Sequence, residues 1–123
     1  TAPAAAVNPI AGGSIVATAQ SMLGIPYRYG GMSLSGTDCS GFTSMVFRYA
    51  LGITLPRTAS GQQASATRVS NPVPGDLVFF GHPAYHVGIY IGNGMMIDSA
   101  HTGTVTAVRK IWTSVGVSYG RVA

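Results

Sequence analysis

Apolar residues recur at helical spacing in the first half of the chain and alternate along short stretches of the second half. Ile15, Val16, Ala19, Met22 and Leu23 share one face of a predicted helix, with Ser14 able to cap it and Gly24 able to end it. Pro26 forbids further helix. Phe42, Met45, Val46, Tyr49 and Ala50 then fall at i, i+3, i+4, i+7 and i+8, the signature of a helix with one buried face. Asp38 is a good N-cap for it and Gly52 a good stop. The small polar residues 58–67 predict a short third helix.

The second half reads as strands. Asp76 to Phe80 is a short apolar run after the Val73-Pro74-Gly75 turn. From His86 to Ile91 the pattern alternates, with Val87, Ile89 and Ile91 on one face and His86, Gly88 and Tyr90 on the other. Met95–Ser99, Val105–Lys110 and Val115–Val122 predict three more strands. Helices first and strands afterwards argue for an α+β fold, with helices packed on one face of an antiparallel sheet. Residues 1–12 are rich in Ala, Pro and Gly and read as a linker, leaving 13–123 as one domain.

Composition narrows the function. Of 123 residues, 46% are hydrophobic and only 8% charged, enough for a core and unlike a disordered chain. The net charge of +4 is scattered, with no basic stripe of the kind nucleic-acid binders carry. A mild positive field favours anionic polymers, bacterial cell walls among them. No apolar run approaches the roughly 20 residues of a membrane span. No signal peptide is visible in this chain, whose start reads like a trimmed boundary.

The single cysteine, Cys39, is the strongest chemical signal. It cannot form an internal disulfide, and it stands at the start of the second predicted helix, where the helix dipole favours negative charge. By itself a lone cysteine is most often a small buried hydrophobe. A cysteine nucleophile needs a base, and His82, His86 and His101 are the candidates. His86 begins the clearest strand, on the face opposite its aliphatic residues, so it projects toward whatever covers that face; the Cys39 helix is a candidate. His82 and His86 flank Pro83 in an extended segment and lack a zinc-binding pattern, so no metal site is expected. Asp76, after Pro74-Gly75, reads as a turn residue bonding local backbone.

The base needs an orienting group, and hairpin register chooses between Asp98 and His101. A two-residue Asn93-Gly94 loop sets Gly92 opposite Met95 and His86 opposite His101, but it buries Asp98 among Val87, Ile89 and Ile91. A three-residue Gly92-Asn93-Gly94 loop sets Ile91 opposite Met95. It gathers the aliphatic residues, with Met95 and Ile97, on one face and places Asp98 diagonally from His86 on the other. Burying an unpaired carboxylate costs several kcal/mol, so the second register is expected and Asp98 becomes the orienting group.

These residues carry a resemblance. Asp38-Cys39-Ser40-Gly41-Phe42, Pro26-Tyr27-Arg28-Tyr29-Gly30-Gly31, Leu55-Pro56-Arg57-Thr58, Pro74 to Phe80 and His86 to Gly94 are together similar to the NlpC-type cell-wall cysteine peptidases, over about residues 14–122. The resemblance implies a papain-like NlpC fold and hydrolysis of peptidoglycan stem peptides, typically between D-γ-glutamyl and a diamino acid such as meso-diaminopimelate. By position it implies Cys39 as nucleophile and His86 as base. Asp98 falls at the third polar position, where many members carry His. It also implies Tyr27 as an oxyanion or substrate contact, Asp38 and Ser40 as substrate contacts, and His101 as a binding residue at the rim. No cofactor is expected. The protein is expected to be a monomer, secreted or associated with the cell wall. Two alternatives remain: a non-catalytic wall-binding module, and a cysteine amidase or acyltransferase acting on other amides.

Overall fold

Asp38 and Gly52 bracket the central helix. In the computed structural model, which describes residues 9–123, Asp38 accepts a hydrogen bond from the Gly41 N–H at 2.7 Å. Gly52 closes the helix in the left-handed conformation at φ 68°, donating its N–H to Arg48 O. Between them α2 spans Cys39–Leu51. It is preceded by α1 (Pro9–Ser21) and followed by α3 (Ala59–Ser65), which Thr58 caps.

The strands are β1 (Met32–Ser33), β2 (Gly36–Thr37), β3 (Thr67–Val69), β4 (Leu77–Gly81), β5 (Ala84–Gly92), β6 (Met95–Asp98), β7 (Ala107–Lys110) and β8 (Val117–Arg121). β1 and β2 form a small hairpin ahead of α2. The other six make one antiparallel sheet in the order β3-β8-β4-β5-β6-β7. The fold is α+β, three helices on a six-stranded antiparallel sheet.

The main core lies between helices and sheet. Ile15, Phe42, Val46 and Phe47 meet Leu77, Phe79, Val87, Ile89 and Ile97. Alternation puts the remaining strand residues on the opposite face, where Val78, Phe80 and Met96 pack with Tyr90, Val117 and Tyr119. Gln62 in α3 is fully buried, and its amide bonds Thr43, Ser40 O, Ser44 and Pro56 O, which ties α3 to α2. Asp76 is also buried. Its carboxylate accepts the Val73 N–H, as a turn residue would, and also a two-point contact from Arg121 at 2.8 Å on each oxygen.

Several expectations are corrected. α1 begins at Pro9, so Ser14 lies inside it and residues 9–12 of the expected linker are helical; residues 1–8 lie outside the described residues. Gly12 packs so closely on Pro74 O that a Cβ there would stand 2.6 Å away, a contact a solvated linker would not make. Tyr49 is exposed rather than buried, and Phe47 is buried instead, because α2 is covered on most sides over residues 40–47. Leu23 is exposed beyond the end of α1.

Candidate active site

Cys39 is the first residue of α2, and three interactions hold that end of the helix. Asp38 caps it. Arg57 donates from Nη1 and Nη2 to the two Asp38 oxygens, each at 3.0 Å, and from Nη1 to Ser40 Oγ at 2.9 Å. The Gly31 carbonyl accepts from the Asp38 N–H at 3.0 Å, from Arg57 Nη2 at 3.2 Å and from Thr37 Oγ1 at 3.3 Å. The loop before the helix is thus laced to its first turn. Asp38 and Ser40, expected as substrate contacts, are engaged in this lacing, and Ser40 is buried.

His86 comes from β5. The β5–β6 pairing sets Ile89 opposite Ile97 and Tyr90 opposite Met96, the register expected from the aliphatic pattern. Near the turn a bulge leaves Gly92, not Ile91, opposite Met95. Asp98 stays diagonal to His86 on the face away from the aliphatic residues. Gly88 lies between them, where a Cβ would come within 3.2 Å of the Asp98 Cβ. His86 Nε2 is 2.7 Å from Asp98 Oδ2, and both side chains are buried.

One expectation about this face is overturned. The body of α2 packs on Val87, Ile89 and Ile97, the face opposite His86. Cys39 nonetheless acts on His86, through a hydrogen bond and its charge, both of which raise the imidazole pKa. The pairing shifts between Phe80 and Gly81, and both Ala84 and Val87 turn toward the helices. Since Nε2 is taken by Asp98, Nδ1 is the nitrogen left for Cys39.

Electrostatics follow from these contacts. Burial alone would lower the His86 pKa. Hydrogen bonds to Asp98 and Cys39, and their negative charges, outweigh it and raise the value to about 9. Burial alone would raise the Asp98 pKa, but hydrogen bonds from Arg109 and His86 hold it below the usual carboxylate value. Tyr27 is pushed up by burial and then by negative charge at Cys39 and Asp38, so its phenol keeps its proton as a donor.

The sequence reading missed Arg109 and Trp112. Arg109 donates from Nε to Asp98 Oδ1 at 2.9 Å and from Nη2 to Oδ2 at 2.6 Å. Its guanidinium lies 5.1 Å from the Trp112 ring centroid. Trp112 in turn stacks on Phe80 at 4.2 Å. The missing signal was face assignment on β7: Arg109 pairs with Met96, which shares a face with Asp98.

An open cleft of about 520 Å³ exposes Cys39 between Tyr27, Tyr29, Arg57 and Tyr85. Past Tyr85 a groove of about 370 Å³ continues beside His86, His101, Arg109 and Trp112. His101 is thus at the rim and exposed, and its Nδ1 bonds Thr102 O at 2.9 Å rather than Asp98. Among the described residues no group of three or more His, Cys, Asp or Glu could hold a metal ion. No described helix is long and apolar enough to cross a membrane.

Comparison with known proteins decides the family. A profile of the NlpC/P60 family matches residues 24–119. The chain belongs to the NlpC/P60 family. One NlpC/P60 relative, named "Probable endopeptidase p60" from Listeria seeligeri, is 48% identical over 114 residues, covering 88% of this chain and 22% of that protein. Another, the gamma-DL-glutamyl hydrolase of Bacillus subtilis (strain 168), is 41% identical over 99 residues, covering 75% of this chain and 24% of that protein. Among solved structures, the NlpC/p60 domain of the peptidoglycan hydrolase SagA superposes with a TM-score of 0.85 at 33% identity, covering 94% of this chain and 100% of that one. The chain therefore spans about a quarter or less of the length of these two curated NlpC/P60 relatives.

Proposed function

We propose that this domain is a cysteine endopeptidase that hydrolyses amide bonds in peptidoglycan stem peptides. Cys39 is the nucleophile, His86 the base and Asp98 the orienting group. The carrying observation is the imidazole held at 2.7 Å by a buried carboxylate and close enough to the lone cysteine, at a helix start, for that thiol to help raise its pKa. The peptidoglycan hydrolase among its structural neighbours supplies the substrate class, and the name of the gamma-DL-glutamyl hydrolase at 41% identity supports a bond at a γ-glutamyl carbonyl; the D-γ-glutamyl–meso-diaminopimelate bond is the stem-peptide bond of that kind that we propose. Such a substrate places the enzyme at the cell wall, outside the cytoplasmic membrane.

The chemistry follows from the geometry. His86 Nδ1 takes the Cys39 proton, and the thiolate attacks the scissile carbonyl carbon. The oxyanion is met by the Cys39 backbone N–H, unpaired at the helix start, and by the Tyr27 hydroxyl. As the tetrahedral intermediate collapses, the C–N bond breaks and His86 returns the proton to the leaving amine. Water, deprotonated by His86, then attacks the thioester and releases the acid and the thiol. Because His86 serves the leaving amine, the groove beside it takes the leaving half and the Cys39 cleft the acyl half. Mass spectrometry of a peptidoglycan digest tests the reading. New D-γ-glutamyl C-termini, absent with Cys39→Ala, are expected. Undiminished hydrolysis by Cys39→Ala, or products joined to an added amine in place of free acids, would overturn it.

A further inference from the structure

Resting on the assignment of His86 as base, we propose that Arg109 is a positioning residue: its guanidinium fixes the Asp98 carboxylate in the orientation that presents Oδ2 to the imidazole. Three side chains form a diagonal row across neighbouring strands, His86 on β5, Asp98 on β6 and Arg109 on β7. The β6–β7 register pairs Asp98 with Ala107 and Met96 with Arg109, so Arg109 stands one diagonal step from Asp98, as Asp98 does from His86. Oδ2 is shared between His86 Nε2 at 2.7 Å and Arg109 Nη2 at 2.6 Å, while Oδ1 takes Arg109 Nε at 2.9 Å. Both carboxylate oxygens are therefore pinned by a planar fork that a lysine ammonium cannot reproduce.

The need for a second partner comes from burial. Asp98 is fully buried, so one imidazole would be its sole compensation without the fork. A carboxylate held at a single oxygen can rotate about its last bond, and the imidazole turns with it. The titratable or charged groups against Asp98 are Arg109 from β7 and His86 from β5, with Cys39 of α2 beyond the imidazole. Losing Arg109 removes the hydrogen bonds that do most to hold the carboxylate below its usual value, together with their positive charge, so its acid titration moves to higher pH. Trp112 fixes the guanidinium from the solvent side, since Arg109 lies over its ring and Phe80 backs it.

The test compares wild type, Arg109→Met, Arg109→Lys, Asp98→Asn and the double variant Asp98→Asn/Arg109→Met. Two pH profiles are read: kcat/KM on a muropeptide, and the rate of Cys39 alkylation by iodoacetamide. Arg109→Met is expected to lower kcat by about a hundredfold with KM little changed, the scale of a misplaced catalytic group. It is also expected to move the acid limb of both profiles to higher pH. Arg109→Lys keeps the charge and restores the acid limb, but only part of the rate. The double variant should be no slower than Asp98→Asn, because Arg109 acts through Asp98. Losses that multiply in the double variant, or an acid limb unmoved in folded Arg109→Met, would overturn the proposal. If Arg109→Met does not fold, an Arg109→Lys variant with the full wild-type rate has the same force. A wild type that cuts no muropeptide, yet whose alkylation profile shifts in Arg109→Met, rejects the proposed activity and keeps the role of Arg109.

Discussion

Asp98 Oδ2 accepts a hydrogen bond from His86 Nε2 at 2.7 Å, while His101 stands at the rim with its Nδ1 on Thr102 O. The two candidate orienting residues therefore differ in reach. Asp98→Ala is expected to lower kcat by up to about ten-thousandfold, the scale of the loss when a catalytic imidazole loses its orienting carboxylate. His101→Ala should leave kcat within about twofold, as an exposed residue with only a local backbone contact. Steady-state kinetics on one muropeptide substrate compares them. A larger loss for His101→Ala would reject Asp98 as the orienting group.

The raised His86 pKa sets the alkaline behaviour. The imidazolium is held to about 9, against 6.5 for an unperturbed histidine. The sign follows directly. A raised folded-state value makes the proton's contribution to stability complete below 6.5 and removes it as pH climbs through about 9. The lowered Asp98 value works the other way, contributing above 3.8 and lost only as pH falls below it. The buried pair is thus intact from mildly acid pH to about 9. We expect kcat/KM to fall on an alkaline limb near 9, where the imidazolium proton is lost, and thermal stability to drop through the same limb. A limb near 6.5 would show that Asp98 does not hold the imidazolium.

How much of this was legible in the sequence depended on whether a residue's position followed from its own strand or helix. Asp98 could be placed because only one hairpin register gathers Val87, Ile89 and Ile97 on a single face. The bulge that sets Gly92 opposite Met95 could not, since it depends on left-handed backbone at Gly92, Asn93 and Gly94. Arg109 and Trp112 escaped because their roles arise across strands, from how β7 is paired and how Trp112 folds back on Phe80. Tyr49 was misplaced for a similar reason. Helical spacing marks a candidate face, but Phe47 is buried because α2 is surrounded. β1, β2 and β3 are too short to show alternation at all.

Asp76 and Arg121 allow stability to be separated from chemistry. Their ion pair is buried, two-pointed and far along the sheet from His86, joining the start of β4 to the end of β8. Asp76→Ala leaves the Arg121 cation in the interior without its carboxylate, and removing one partner of a buried pair costs about 3–5 kcal/mol. We expect a large fall in the denaturation midpoint. The kcat per folded molecule, measured well below that midpoint, should stay near wild type. A selective loss of kcat without loss of stability would mean that the pair reaches the active site.

Gly41 tests whether the laced loop positions Cys39. Intrinsic propensity favours Gly41→Ala, since alanine is better than glycine inside a helix by about 1 kcal/mol. Geometry opposes it. A Cβ at Gly41 would press on the Gly31 carbonyl oxygen and stand 2.8 Å from Thr37 Oγ1 and 2.9 Å from Asp38 Oδ1. All three are backbone or short, hydrogen-bonded side chains that cannot easily swing aside, and the Gly31 carbonyl is held by three donors. The loop or the first turn of α2 must shift, and Cys39 is in that turn. A displacement of about 1 Å at a reacting atom costs about a hundredfold in rate. Gly41→Ala is therefore expected to fold, to lose most of its kcat and to slow Cys39 alkylation. If it gains stability and keeps its rate, the close approach of Gly31 to the helix has no part in holding the nucleophile.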